Sequence, residues 1–416
     1  MDYRTFPKHN VLCIDMRSFY ASIECVKRGL NPMTTMLAVV GDKNRSGSII
    51  LAASPALKQR HGVKNVSRYF ELPNDPAIHV VEAKMGDYVQ VSVAITRLLH
   101  DYVPKEAIHP YSVDEMWITV DGLEPLYGNA EQIAQMIKEE IYETMGLTCA
   151  IGIGDNKFLA KVVMDLYAKK TGIATCRYQD VERLLWPVSI EKIWGIGRRL
   201  TVHLNRMGII YLGQLANYRL DRLKKRFGVI GEQLYWHAWG IDLSPVYDSY
   251  GKKEEQKGFG HGITLLRDYT AEETLTCILD LTEEVCRRAR DHQRAGRTIH
   301  LGIAYADHSG GFHRSSSLQL PTNVTMDVYR VCLQLFHQFY NHHSKIRRVS
   351  VSLNNLYDDM ETQLNLFDDQ PKKKDIGYVM DAIRTKYGST SLLRATSYTE
   401  AGITRERSKK IGGHYA

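Results

Sequence analysis

The sequence predicts an α+β chain built from several domains. Three observations lead there: strand-like and helix-like segments alternate over the first 185 residues, the character changes to short glycine-broken helices over 190–242, and a polar stretch at 244–258 precedes a second strand–helix alternation. At 416 residues the chain has room for about two to four domains, each with its own core. No apolar run reaches the ~18 residues of a bilayer span. The start, Met1-Asp2-Tyr3-Arg4, lacks the basic-then-apolar order of a secretory signal, so a cytoplasmic protein is expected. Seven cysteines, odd in number and without a C-x-x-C pair, fit reduced thiols better than disulfides or a zinc site. The formal net charge of +7 is a mild hint of a polyanionic partner and decides nothing alone.

Taken in order, Val11-Leu12-Cys13-Ile14 reads as a buried strand that ends in Asp15 and leads into a helix over Phe19–Val26. Ser48–Ala53 is a second strand, and Ser54-Pro55 is a helix-start signal ahead of the basic segment Lys58–Gly62. Helical periodicity over 83–102 is followed by 111–120, whose alternating second half predicts a hairpin or adjacent strands. A helix over 129–145, a strand over Thr148–Gly154 and a helix over Asn156–Lys169 complete the first region, which is placed at 1–185. Residues 186–243 form the helical region and 244–258 the linker. Residues 259–357 form a small α+β domain with strands near 298–304, 315–320 and 349–353 and helices near 271–292 and 324–342. The tail is 358–416, with a lysine run at 372–374.

Asp15 and the adjacent pair Asp114-Glu115 all stand beside apolar strands. Carboxylates there are costly to bury without a cation, and a divalent metal is a natural partner. Neighbours on a regular strand face opposite sides, so a twist or bulge is required for Asp114 and Glu115 to converge. For any lone acid, a solvated strand end is the better reading.

The context of all three is more specific. Cys13–Glu24 with Tyr111–Glu115 closely resembles the two palm motifs of the Y-family translesion DNA polymerases, and further matches follow in register: Gly152-Ile153-Gly154 with Asn156–Lys161, Ile193–Gly197, and Phe227-Gly228 leading to Gly240-Ile241-Asp242. The resemblance covers about residues 10 to 356 and leans to the bacterial UV-damage-repair (UmuC-like) branch, related to DNA polymerase IV. It implies a right-hand fold of palm, fingers, helical thumb and C-terminal little finger. It also implies two Mg²⁺ ions held by Asp15, Asp114, Glu115 and the backbone carbonyl of Met16, and in-line attack of a primer 3′-hydroxyl on a deoxynucleoside triphosphate. Tyr20 falls on the steric-gate position, and Lys169 or Lys170 on that of a triphosphate-binding lysine. Two departures stand out. Ala56 and Gln59 replace a Tyr and an Arg that contact the triphosphate in many relatives, leaving Lys58 or Arg60 to substitute, and Arg17 stands where many carry an acid.

Trp194–Leu200, followed by Leu204 and Met207-Gly208-Ile209, has the form of a helix-hairpin-helix. Gly195 and Gly197 would let backbone N–H groups approach a DNA phosphate, with Arg198 beside them. In the small domain Arg267, Arg297, Arg314, Arg347 and Arg348 are candidate phosphate contacts, although exposed strands also carry Arg for solubility. Gln363-Leu364-Asn365-Leu366-Phe367 resembles the peptide that binds the bacterial sliding clamp, with Leu364, Leu366 and Phe367 as anchors and Gln363 as the polar contact. The expected partners are primer–template DNA, deoxynucleoside triphosphates and the clamp, with the chain a monomer and no membrane contact. Two other readings stand beside the polymerase: a two-metal nuclease, and a non-catalytic scaffold that binds DNA and the clamp.

Overall fold

The computed structural model describes residues 1–64, 66–246, 256–359 and 370–415. They fall into two compact units, Met1–Lys252 with His414–Ala416, and Lys253–Gly413. The division lies within the polar segment 244–258, most of which is outside the described residues.

The first unit runs β1 (Val11–Met16), α1 (Phe19–Val26), β2 (Leu37–Val40), β3 (Ile50–Ala53), α2 (Pro55–His61), β4 (His79–Glu82) and α3 (Met85–Leu99). It continues with β5 (Ile108–Pro110), β6 (Glu115–Thr119), α4 (Glu124–Tyr127), α5 (Ala130–Met145), β7 (Cys149–Gly154) and α6 (Lys157–Val163). A π-helical turn at Met164–Ala168 leads to α7 (Lys169–Thr171) and β8 (Ile173–Cys176). The palm sheet has the order β5-β6-β1-β7-β8, and a separate sheet β3-β2-β4 forms the fingers. β2, β4, β5 and β8 were not read from the sequence. Each has only three or four residues, and β2 is buried along its whole length, so no alternation marks it.

β1 is central and antiparallel to both neighbours, with Asp15 opposite Glu115 on one side and Ala150 on the other. Being covered on both faces, it is a continuous apolar run. Leu12, Ile14 and Met16 join the larger core, whereas Val11 and Cys13 pack with Trp117, Ala160 and Met164. The Gly152-Ile153-Gly154 signature has a steric origin. A Cβ on Gly152 would lie 2.1 Å from the Ala160 carbonyl oxygen, and one on Gly154 2.5 Å from the Ala160 nitrogen. These glycines let the backbone of α6 lie directly on β7. Asn156 caps α6 by accepting from the Leu159 N–H at 2.9 Å, and its amide donates to the Gly240 carbonyl at 2.7 Å, tying the palm to the helical thumb.

α8 (Val181–Leu184), at the end of the first region, shares one apolar core with the thumb helices α9 (Arg198–Arg206), α10 (Leu212–Ala216), α11 (Leu220–Phe227) and α12 (Val229–Ala238). In the second unit, β9 (Gly258–Tyr269), α13 (Ala271–Asp291), β10 (Arg294–Tyr305), β11 (Gly311–Thr322), α14 (Thr325–Phe339) and β12 (Ile346–Asp358) build a four-stranded sheet of order β11-β10-β12-β9. Leu301, Ile303, Val349 and Val351 on this sheet share a core with Ile278 and Val285 of α13 and Val328 and Phe336 of α14. α15 (Gln370–Tyr387) then begins a C-terminal cap on the same unit. Arg290 pairs with Asp381 at 2.6 Å, Arg384 with Glu283 at 3.0 Å, and Ala401 and Ile403 are buried in the domain core. The described part of the segment read as a tail is therefore folded. Its anchors are ion pairs and isolated apolar residues, which leave no periodic signature.

Candidate active site

Asp15 ends β1, and Asp114 lies in a bend just ahead of β6 rather than in the strand. That placement frees Asp114 from the pleat without bringing Glu115 into the same cleft, and the Met16 N–H donates to the Asp114 carbonyl at 2.9 Å. The Ser112 hydroxyl donates to its carboxylate at 2.7 Å. Asp15 and Asp114 line a cleft of about 600 Å³ together with Met16, Arg17, Tyr20, Lys58 and Lys169. Burial pushes the Asp15 carboxyl up to about 6, with the charges of Asp114 and Glu115 adding and Lys169 and Lys161 opposing.

Glu115 is not part of the cleft lining. Its carboxylate is buried, accepts from the Lys161 ammonium at 2.8 Å and from the Cys13 thiol at 3.4 Å. From there a ladder of alternating charges runs along the helix: Lys161 to Asp165 at 3.1 Å, Asp165 to Lys169 at 2.7 Å, and Lys169 to Asp15 at 3.4 Å. Burial works against the Lys161 and Lys169 ammoniums, yet the hydrogen bond to Glu115 in one case and the Asp15 charge in the other raise both. Lys161 and Asp165 received no role from the sequence, although their spacing with Lys169, four residues apart each time, was the available signal.

Tyr20 is half-buried in the cleft, its ring stacked on Tyr88 at 4.4 Å, and Tyr88 in turn donates to Glu24 at 2.9 Å. Burial, then the Asp114 charge, raises the Tyr20 hydroxyl. Ser18 holds φ 47°, the left-handed region, at the start of α1, and its hydroxyl accepts from Lys58 at 3.2 Å. Burial and the Lys169 charge lower the Lys58 ammonium. Arg60, two residues further along α2, is exposed and outside the cleft lining. Residues two apart on a helix point about 200° apart, so Lys58 and Arg60 cannot both face the cleft. The Arg17 Nε is buried without a hydrogen-bond partner among the described residues.

As a metal site, the donor chemistry fits: hard carboxylate oxygens and the Met16 carbonyl suit Mg²⁺, and Asp15 is a partly buried carboxyl whose charge a cation stabilises. Among the described residues, however, no three His, Cys, Asp or Glu side chains already stand as a metal-binding group. Lys161 and Lys169 hold Glu115 and Asp15 instead.

In the thumb, Gly195 has φ +89° and Gly197 precedes α9, with open space where either Cβ would be. Both glycines and Arg198 are exposed. In the second unit the arginines divide. Arg267 pairs with Glu273 at 2.6 Å and Arg347 with Asp268 at 3.0 Å, while Arg297 donates to the Leu318 carbonyl at 2.7 Å. Arg314 is the cross-strand partner of Leu301, so the pleat puts it on the helix-packed side, over the Phe339 ring at 4.8 Å. Arg348 lines an open groove with Gly260, Gly262 and Ser350, and the exposed Arg314 at the edge strand borders the same groove. Gln363, Leu364, Leu366 and Phe367 lie outside the described residues.

A sheet carrying paired acids at adjacent strand ends, with a helical thumb beside it and a tethered four-stranded domain, defines a right-hand nucleotide polymerase. The chain belongs to the Y family of DNA polymerases. Residues 14–165 match the impB/mucB/samB family, 256–366 the C-terminal domain of that family, and 191–242 the DNA polymerase-iota thumb domain. The chain is 49% identical over 421 residues to UvrX of Bacillus subtilis strain 168, a protein named for UV-damage repair, covering 100% of this chain and 99% of that one. DNA polymerase IV 2 of the same organism is 41% identical over 414 residues, covering 97% and 98%. A solved Y-family DNA polymerase chimera (Dbh–Dpo4–Dbh) has the same fold, with a TM-score of 0.66 at 22% identity, over 83% of this chain and 98% of the chimera. No helix among the described residues is long and apolar enough to cross a membrane.

Proposed function

We propose that this chain is a template-directed, low-fidelity DNA polymerase that extends primers across damaged bases. The observation that carries the reading is one cleft in which two carboxylates, Asp15 and Asp114, face a stacked aromatic, Tyr20, and two ammoniums, Lys58 and Lys169. Asp15, Asp114, Glu115 and the Met16 carbonyl would hold two Mg²⁺ ions, which supply charge neutralisation and a more acidic primer hydroxyl. Glu115 takes part once Lys161 yields its carboxylate.

The side chains of the cleft then have separate tasks. Lys169, released from Asp15, and Lys58 act as point charges on the triphosphate, compensating for Ala56 and Gln59. Tyr20 lies under the sugar, where its contact with Tyr88 stops it retreating from a 2′-hydroxyl. The turn at Gly195–Gly197 and Arg198 grip the DNA backbone without reading sequence. Arg267, Arg297, Arg347 and Arg348 serve the duplex from the little finger, and Arg314 does so only at the sheet edge. The peptide 363–367 docks on the sliding clamp, and the chain works as a monomer in the bacterial cytoplasm, at the nucleoid.

Primer extension with Mg²⁺, wild type against Asp114→Ala, tests the core of this. The expected result is extension that falls by about 10³-fold in the variant. Cleavage of the DNA would favour a nuclease, and neither activity a scaffold. Deleting 363–367 should spare basal extension and abolish stimulation by the clamp; undiminished stimulation removes the peptide from the account.

A further inference from the structure

The C-terminal cap and α13 line a half-open cavity of about 400 Å³ in the second unit, far along the sequence from the polymerase motifs. Five cationic side chains line it against three acids. Every acid is already engaged. Glu283 accepts from Arg384 at 3.0 Å and Arg394 at 2.8 Å, and Glu284 from Arg287 at 3.1 Å and Arg288 at 2.8 Å. Asp280 accepts from the Ser397 hydroxyl at 2.5 Å and from the N–H groups of Ile403 and Thr404 at 2.8 and 3.1 Å.

Arg407 is left over. It lines the cavity and is partly buried, yet its guanidinium makes no hydrogen bond or ion pair among the described residues. Burial lowers its pKa; the charges of Glu284 and Asp280 oppose this without cancelling it, and Arg288 adds to it. A buried charge without a partner is costly, and an anion is the missing partner. The Ser389 hydroxyl also lines the space, whereas those of Thr385 and Ser408 donate to the carbonyls of Asp381 and Arg405 at 3.0 and 2.8 Å. A phosphate brings several acceptor oxygens, enough to meet the guanidinium fork of Arg407 and the Ser389 hydroxyl together.

We propose that this cavity binds a phosphate group on Arg407, independently of the catalytic cleft. The source is a free anion, such as inorganic phosphate or the pyrophosphate released by polymerisation, or a strand phosphate. Thermal unfolding of the full chain at constant ionic strength tests this, with phosphate, pyrophosphate or a short single-stranded oligonucleotide replacing chloride. A saturable rise in melting temperature of roughly 3–5 °C is expected near ten times Kd. Arg407→Gln should abolish the rise while melting no lower than wild type in chloride, since it removes an unpaired charge. General exclusion effects of phosphate act on both proteins alike. Ser389→Ala, expected to weaken the effect several-fold, keeps the test open if Arg407→Gln folds poorly. A response to the small anions assigns a free ligand, and a response to the oligonucleotide alone assigns a strand phosphate. No saturable response to any of the three, or an equal one in Arg407→Gln, overturns the proposal.

Discussion

Replacing Lys161 by Met probes the charge ladder that organises the catalytic cleft. Both partners of the Lys161–Glu115 pair are under 10% exposed at their side chains, 6% and 9%, and 2.8 Å apart. Met keeps most of the aliphatic volume against α6 and β7, so the change is largely one of charge. Removing one partner of a buried pair strands the other, at a cost of about 3–5 kcal/mol. The lost contact to Asp165 adds little, because that carboxylate is 28% exposed and keeps Lys169 at 2.7 Å. At about 2–4 °C per kcal/mol for a unit of this size, the melting temperature should fall by roughly 10 °C. Urea unfolding of K161M, E115Q and the double variant forms a mutant cycle. The double variant should recover at least half of the K161M loss, because neither charge is then buried alone. A K161M loss under about 1 kcal/mol, or strictly additive losses in the double variant, would refute the idea that the pair holds the site together.

Tyr20→Ala should raise ribonucleotide insertion on the order of 10- to 100-fold relative to deoxynucleotides in single-nucleotide primer extension; unchanged sugar discrimination would take the gate role from this ring. Gly152→Ala puts a methyl group against the Ala160 carbonyl and the Met164 side chain, and should destabilise the first unit by about 3 kcal/mol in urea. A near-neutral result would mean that α6 does not seat directly on β7. Burial, then the charges of Arg407 and Arg288, depresses the His261 imidazole to about 4, below its ordinary 6.5. The histidine is thus neutral when folded, and its contribution is complete above pH 6.5, declines as the pH falls toward 4, and is flat below. With this group about half exposed, the loss should be about 1–2 kcal/mol after allowing for solvent screening. His261→Gln should flatten that slope in denaturant titrations across pH 4–7, and an unchanged slope would exclude His261 as its source.

Much of the site was legible because it is local. The strand–Asp15–helix run, Asp114-Glu115 before β6 and the Gly152–Lys161 stretch are short segments whose residue types carry their geometry, and the two-glycine signature is a direct trace of a helix lying on a strand. Arg60 shows the limit of such reading: it belongs to the right basic segment, but helical phase turns it outward, and sequence proximity alone did not weigh that.

Composition and motif order by themselves determined the α+β class and the acids beside the central strands. Only the tertiary structure decided that Glu115 is tied to Lys161 rather than open to the cleft, that a charge ladder reaches Asp15 through Asp165 and Lys169, and that the described C-terminal residues are a cap with a cavity beneath it. The physical reason is range. Helix caps, turns and strand runs are set by neighbouring residues, whereas the pairing of one buried charge with another depends on which elements are packed together. Glu115 and Lys161 are 46 positions apart, and Glu283 and Arg394 are 111.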